Sequence, residues 1–234
     1  MNAPIYYVGG SKGGVGKSML AFALIEYLTV REKSVLVLET DSANPDVWKA
    51  HKPHENSSLV CKLVNLDMAE GWIELVNFCD ENPSHIALVN SAARSTTGME
   101  KYGATLKETL GDLQRNLTAF WIINRQRDSV ELLRSFLDVF PDSPAHVCRN
   151  MYFGEAEKFE RYNESKTRKA IEEKGFTLDF PAVADRVADK LYSGRMSIQK
   201  ALAEMHLGDR AELRRWRARY SEMFNKVLGD KNEG

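Results

Sequence analysis

The sequence is poor in cysteine and proline, has no long apolar run, and carries almost no excess charge of either sign. Its three cysteines, Cys61, Cys79 and Cys148, stand far apart with no CxxC pair. That spacing excludes a disulfide framework, a zinc site and an iron–sulfur cluster, and it suits small core residues in a reducing compartment. Seven prolines and 15 glycines in 234 residues form no Pro/Gly/Ser-rich linker and no low-complexity stretch, so residues 1–234 read as one domain. No segment approaches the roughly 20 apolar residues that span a bilayer. The first residues, Met1 to Val8, lack a basic segment followed by an apolar run and do not read as a signal peptide. The expected location is the cytoplasm. With 32 Lys+Arg against 33 Asp+Glu, no global field draws the chain to nucleic acid or membrane, and either would have to be met by a local patch.

What is present is an alternation of short apolar runs with longer helical patterns. This is the signal of an α/β protein with a mostly parallel, helix-flanked sheet. Strands are expected at Ile5–Val8, Ser34–Glu39, Ile86–Asn90, Ala119–Asn124, Ala145–Asn150 and Thr177–Phe180. A helix over Ser18–Thr29 places Leu20, Leu24 and Leu28 on one face. Another, from about Ser129 to Val139, buries Val130, Leu133 and Leu137, with Asp128 as its cap. The charged stretch 155–174 is expected to form one exposed helix ending at Gly175. Residues 183–228 read as a helical C-terminal segment.

The decisive segment runs Val8, Gly9, Gly10, Ser11, Lys12, Gly13, Gly14, Val15, Gly16, Lys17, Ser18. It follows a predicted strand and opens a predicted helix, the context that makes a phosphate-binding loop credible. Glycines at 13, 14 and 16 let successive backbone N–H groups converge on one phosphate chain. The helix N-terminus adds partial positive charge. Lys17 can reach the β- and γ-phosphates, and the Ser18 hydroxyl can bind Mg²⁺. The expected cofactors are therefore ATP and Mg²⁺.

Lys12 ahead of the glycine pair, with Ser11 where the general pattern has glycine, resembles the ParA/MinD superfamily of deviant Walker ATPases and their KGGxGK[ST] signature. The resemblance implies a P-loop NTPase fold over most of the chain. It also implies a nucleotide-dependent homodimer in which Lys12 reaches the phosphates of the partner's nucleotide; a lysine serving only its own subunit is the alternative. The residues assigned to the nucleotide are Lys12, Gly13, Gly14, Val15, Gly16, Lys17, Ser18 and Met19. The family's Asp-x-Asp falls on Glu39 and Asp41, which strand alternation places on one side of the strand end. By resemblance Asp41 acts with Lys12 in catalysis and with Ser18 in holding Mg²⁺; a cap or turn role is the plain alternative. The loop Ser42–Asp46 reads equally as a switch or as a passive turn.

The pattern departs at the third strand, where the family's Walker B aspartate is replaced by Asn90, followed by Ser91 and Ala92. An amide can still accept from a metal-bound water but brings no charge. Slow hydrolysis, or completion of the site by a partner, is the expectation. Two later residues match base-contacting positions of the family: Asn150 at a strand end and Pro181 after the last strand. Their plain alternatives are a strand-end turn and a helix start.

The final helix interleaves Arg210, Arg214, Arg215, Arg217 and Arg219 with Trp216 and Tyr220. Its apolar residues Leu213, Trp216, Tyr220, Met223, Phe224 and Val227 gather on one face, which reads as packing on the core. A non-specific DNA surface remains the alternative. Within the superfamily the C-terminal residues look most like the plasmid-encoded TraL and StbB type, associated with conjugal transfer and plasmid stability. The functional expectation is a dimeric ATPase switch with a protein partner, with or without DNA, and not a membrane protein. A nucleotide-sensing scaffold without turnover is the second reading, carried by Asn90. A small-molecule phosphotransferase with residues 158–174 as a lid is the third.

Overall fold

A computed structural model of the chain describes residues 1–11, 13–93 and 96–229. Seven strands form a single parallel sheet: β1 (Ile5–Gly10), β2 (Val35–Glu39), β3 (Leu59–Leu63), β4 (Ile86–Asn90), β5 (Leu117–Ile123), β6 (Ala145–Asn150) and β7 (Thr177–Phe180). Their order is β3-β2-β4-β1-β5-β6-β7. The sheet grows one way from β1 through β4 and the other way through β5. In such a sheet a ligand crevice opens outside the carboxyl ends of the strands where the order reverses.

The helices are α1 (Lys17–Thr29), α2 (Asp46–His51), α3 (Ala69–Glu81), α4 (Thr96–Tyr102), α5 (Ala104–Thr109), α6 (Asp128–Val139), α7 (Glu160–Asn163), α8 (Lys166–Lys174), α9 (Asp185–Ser193), α10 (Ile198–Glu204) and α11 (Leu207–Leu228). Strand residues alternate between two cores. Val35, Val37, Leu88, Phe120 and Ile122 pack on the α1, α10 and α11 side. Leu36, Leu38, Val89, Trp121 and Ile123 pack on the α3, α5 and α6 side. Burial on both faces explains why these strands read as near-continuous apolar runs.

Several expectations need correction. The sequence reading assigns no element between Glu39 and Ile86, yet β3 pairs with β2 along its whole length. It is an edge strand of five residues carrying Lys62 and the exposed Leu63. The helix α1 does not bury one stripe: nearly every residue from Met19 to Leu28 is buried, because α10 and α11 cover the side away from the sheet. Asp128 is not a cap; Arg127 precedes the helix without a side-chain cap, and Asp128 is its first residue. The stretch 155–174 is not one helix. It breaks because Phe159 and Tyr162 turn into the core and Ser165 caps a fresh start, accepting from the Arg168 N–H at 3.1 Å. Gly175 ends α8 in extended backbone; a Cβ there would lie 1.9 Å from the Ala145 carbonyl oxygen.

The last helix packs as its apolar face predicts, with Leu213, Trp216, Tyr220, Met223 and Phe224 buried. Tyr220 donates to the buried Glu26 carboxylate at 2.6 Å, and Arg217 pairs with the same carboxylate at 2.6 Å. Tyr27 and Arg31 both donate to Asn225. The helix is thus bolted to α1, the helix that starts at the phosphate loop. The three cysteines are buried and free. Among the described residues no helix is long and apolar enough to cross a membrane.

Candidate functional site

The loop between β1 and α1 faces a cleft of about 640 Å³, within the range of small-ligand sites. Gly14 has φ +81 and Gly16 φ +106, conformations that side chains resist. At Gly16 a Cβ would also lie 2.6 Å from Asn150 Nδ2, so two constraints demand glycine there. Val15 points its side chain into the core and turns its carbonyl to Asn150. Lys17 is buried and donates to the Ser11 carbonyl at 2.9 Å. Burial pulls its ammonium down to about 8, with the Asp41 carboxylate opposing.

Ser11 does more than replace a glycine. Its buried hydroxyl lies 3.0 Å from that of Ser129 on α6, which is itself 2.8 Å from Asn124 Oδ1 beyond β5. The start of the loop is therefore braced from a second helix.

Of the expected site residues, the cleft brings together Gly13, Gly14, Gly16, Lys17, Ser18, Met19, Asp41, Asn150 and Pro181, along with Asn90. Lys12 lies outside the described residues. The two carboxylates at the end of β2 separate. The strand stops at Glu39, so alternation no longer governs Asp41, which sits in a turn. Asp41 Oδ1 accepts from the N–H groups of Ala43 at 3.2 Å and Asn44 at 2.9 Å. Asp41 lines the cleft and Glu39 does not. Glu39 is fully buried, and burial raises its carboxyl to about 7 against the hydrogen bonds it accepts from the Asp41 N–H, the Asn90 amide and the Trp48 N–H.

Asn90 stands directly across from Glu39 in the sheet register. Its Nδ2 donates to both Glu39 oxygens, at 3.0 and 3.2 Å. Its Oδ1 is buried with no hydrogen-bond partner among the described residues. At the other end of the cleft, Asn150 Nδ2 donates to the Val15 carbonyl at 2.8 Å, and its Oδ1 accepts from the Tyr152 N–H at 3.1 Å. The Pro181 carbonyl accepts from the Trp216 indole N–H at 2.7 Å.

The cleft also recruits Ser91, Tyr152, Asp189, Tyr192 and Trp216, which sequence reasoning did not assign to it, and Asn44 and Asp46 from the loop Ser42–Asp46 that the sequence leaves open as a switch or a turn. Ser91 and Tyr152 follow strand ends and could have been flagged by the crevice rule. Tyr192 and Trp216 carry no such signal, because they arrive by docking of α9 and α11. No residue between Tyr152 and Phe180 lines the cleft, so residues 158–174 do not lie over it as a lid would.

Gly13, Gly14, Lys17 and the N-terminal end of α1 offer amide donors and a cation to a phosphate chain. The Ser18 hydroxyl and Asp41 carboxylate are hard oxygen donors of the kind Mg²⁺ prefers. Asn90 adds a neutral amide residue to the lining of the same cleft.

Residues 6–148 match the family model described as the CobQ/CobB/MinD/ParA nucleotide binding domain. The chain is 51% identical to Protein MobD of Acidithiobacillus ferrooxidans over 97% of its own length and 99% of that protein. Among solved structures it is similar to the MinD cell division protein of Aquifex aeolicus, with a TM-score of 0.54 and 14% identity over 94% of this chain and 97% of that one. It is also similar to a nucleotide-binding protein of Archaeoglobus fulgidus in complex with ADP, with a TM-score of 0.52 and 16% identity over 83% and 88% of the two chains.

Proposed function

Because the chain belongs to the CobQ/CobB/MinD/ParA family of nucleotide-binding domains, we propose that it is an ATP-binding dimeric switch with low Mg²⁺-dependent turnover, acting in plasmid mobilisation, positioning or partition. One observation carries the reading: the glycine turn, Lys17, Ser18 and Asp41 converge on a single cleft that extends to Asn150 and Pro181. Lys17 holds the β- and γ-phosphate oxygens, exchanging the Ser11 carbonyl for a charged acceptor. Ser18 and Asp41 hold the metal, which when bound neutralises developing phosphate charge and polarises water. Asp41 orients the attacking water. Lys12 reaches the phosphates of the partner's nucleotide, so that ATP bridges two copies of the chain.

At the far end of the cleft Asn150 and Pro181 present the adenine site, walled by Tyr152 and Trp216. The ADP complex of the Archaeoglobus protein supports an adenine nucleotide. The relative named Protein MobD supports a mobilisation role, in keeping with the TraL and StbB likeness of the C-terminal segment. We read residues 1–234 as one ATPase domain of a cytoplasmic protein whose switch state is read by a protein partner. Exposed arginines of α11, such as Arg214 and Arg219, are where non-specific DNA contact would sit.

Asn90 favours a second reading, a nucleotide sensor without useful turnover, because the end of β4 carries no charge. Phosphate release by purified protein with Mg²⁺, with and without DNA, separates the two. Turnover lost in Lys17→Ala and Asp41→Ala supports the switch. ATP-dependent dimerisation in sedimentation without phosphate release supports the sensor. Lys12→Ala is expected to bind ATP and stay monomeric; a dimer indifferent to nucleotide in both proteins overturns the bridged arrangement.

A further inference from the structure

We propose that Asn150 sets the direction of the Gly16 N–H, holding the peptide between Val15 and Gly16 so that this donor is turned to the phosphates. The inference deepens the ATP reading above and rests on it. Asn150 acts here through the loop, as a positioning residue, whatever it adds at the base.

The side chain of Asn150 is buried, and both ends of its amide are bonded to backbone. Nδ2 donates to the Val15 carbonyl at 2.8 Å, and Oδ1 accepts from the Tyr152 N–H at 3.1 Å. A carbonyl only accepts and an N–H only donates, so these two partners allow the amide one orientation. The bond from Tyr152 also caps the turn Met151–Phe153. The amide is thus held at its own strand end while it reaches across to the loop.

Among the described residues no peptide bond is cis, and in a trans peptide the C=O and N–H point opposite ways. With the Val15 carbonyl drawn to Asn150, the Gly16 N–H is directed away from it. Gly16 lines the cleft and Val15 does not. This orientation goes with φ +106 at Gly16; a half-turn of the peptide would bring φ into the ordinary negative range. Glycine accepts both, so glycine by itself does not choose. The buried Val15 side chain does not choose either, since it stays in place while the peptide after it turns. Asn150 does. Turning the peptide over would break the bond to Val15 and set the Gly16 N–H against the Asn150 N–H, donor against donor, with both left unsatisfied. The same amide lies 2.6 Å from where a Cβ on residue 16 would fall, so it also keeps the position glycine.

Base reading and loop positioning differ in what they predict for a ligand that has no base. Calorimetry on the full chain with Mg²⁺ compares ATP with inorganic tripolyphosphate. Asn150→Ala is expected to weaken tripolyphosphate about 10- to 100-fold, the scale of one hydrogen bond to a charged group, and ATP by at least as much. A merely structural role would lower the melting temperature and the bound stoichiometry, and leave the affinity of the folded fraction alone. Should Asn150→Ala fail to fold, Asn150→Leu keeps the branched shape without the donor and must show the same loss. A further measurement needs no variant: the Gly16 amide proton of the wild-type protein must move downfield in NMR spectra as tripolyphosphate binds. A loss confined to ATP, unchanged affinity for both ligands, or an unmoved Gly16 amide overturns the proposal while the nucleotide reading stands. Wild-type protein that binds ATP and no tripolyphosphate overturns it as well. Absence of affinity for either ligand overturns both.

Discussion

The two ends of the cleft are built in opposite ways. The end proposed for the phosphates comes from one contiguous stretch, 13–19, in which backbone amides and a single lysine would supply most of the chemistry. The end proposed for the base is assembled from β6, the turn after β7, α9 and α11, and depends on side chains that meet only after long-range docking. The first arrangement tolerates little change in backbone but needs few partners. The second tolerates local change but depends on helices held far from the ligand by contacts such as Glu26 with Tyr220 and Arg217.

The comparison can be broken most strongly at Lys17. Lys17→Ala should weaken both ATP and inorganic tripolyphosphate by about 100-fold or more, the scale of a few kcal/mol for charge-assisted bonds. Its melting temperature should hold or rise, since a buried cation is removed. Calorimetry with both ligands and a thermal scan check this. Gly16→Ala comes next: with φ +106 and a Cβ 2.6 Å from Asn150, the strain should cost about 1–3 kcal/mol of stability and also weaken tripolyphosphate binding. Equal denaturation midpoints for wild type and variant would show that the loop relaxes freely.

A smaller effect should follow at the base end. Trp216→Phe removes the bond to the Pro181 carbonyl at a cost of about 1 kcal/mol, equivalent to roughly a fivefold weakening of ATP. Tripolyphosphate affinity should not move. If both ligands weaken together, the ends are coupled through α1 rather than separate. The last effect concerns neither end and shows only on acidification. His146 lies between Phe120 and Phe176, and burial pulls its imidazole down to about 4. Its folded value lies below the unfolded one near 6.5, so it stays neutral in the fold. The stability tied to that neutral form is complete above about pH 6.5 and is lost as pH falls toward 4. His146→Phe should therefore lose less stability than wild type between pH 7 and 4.5, by up to about 2 kcal/mol, as chemical denaturation at each pH would show.

How much was legible follows the same division. The glycine spacing, Lys17 and Ser18 announce the phosphate loop because local backbone geometry and charge leave no other economical use for them. Six strands were readable as apolar runs since both sheet faces are covered. The edge strand β3 was not, and only its pairing with β2 in the sheet identifies it. Asn90 was visible as a departure, yet nothing in its neighbours along the chain pointed to Glu39, some fifty residues earlier. Register across the sheet made them partners.

The order of residues by itself determined the family, the sheet-and-helix alternation and the phosphate cradle, since each is encoded within one strand–turn–helix span or in the period of apolar side chains. Tertiary structure alone decided that Ser129 braces Ser11, that Trp216 and Tyr192 wall the cleft, and that a carboxylate on β2 stands behind an amide on β4. Those depend on which strands become neighbours and where helices dock, and that choice is made by burial of surfaces distant in the chain.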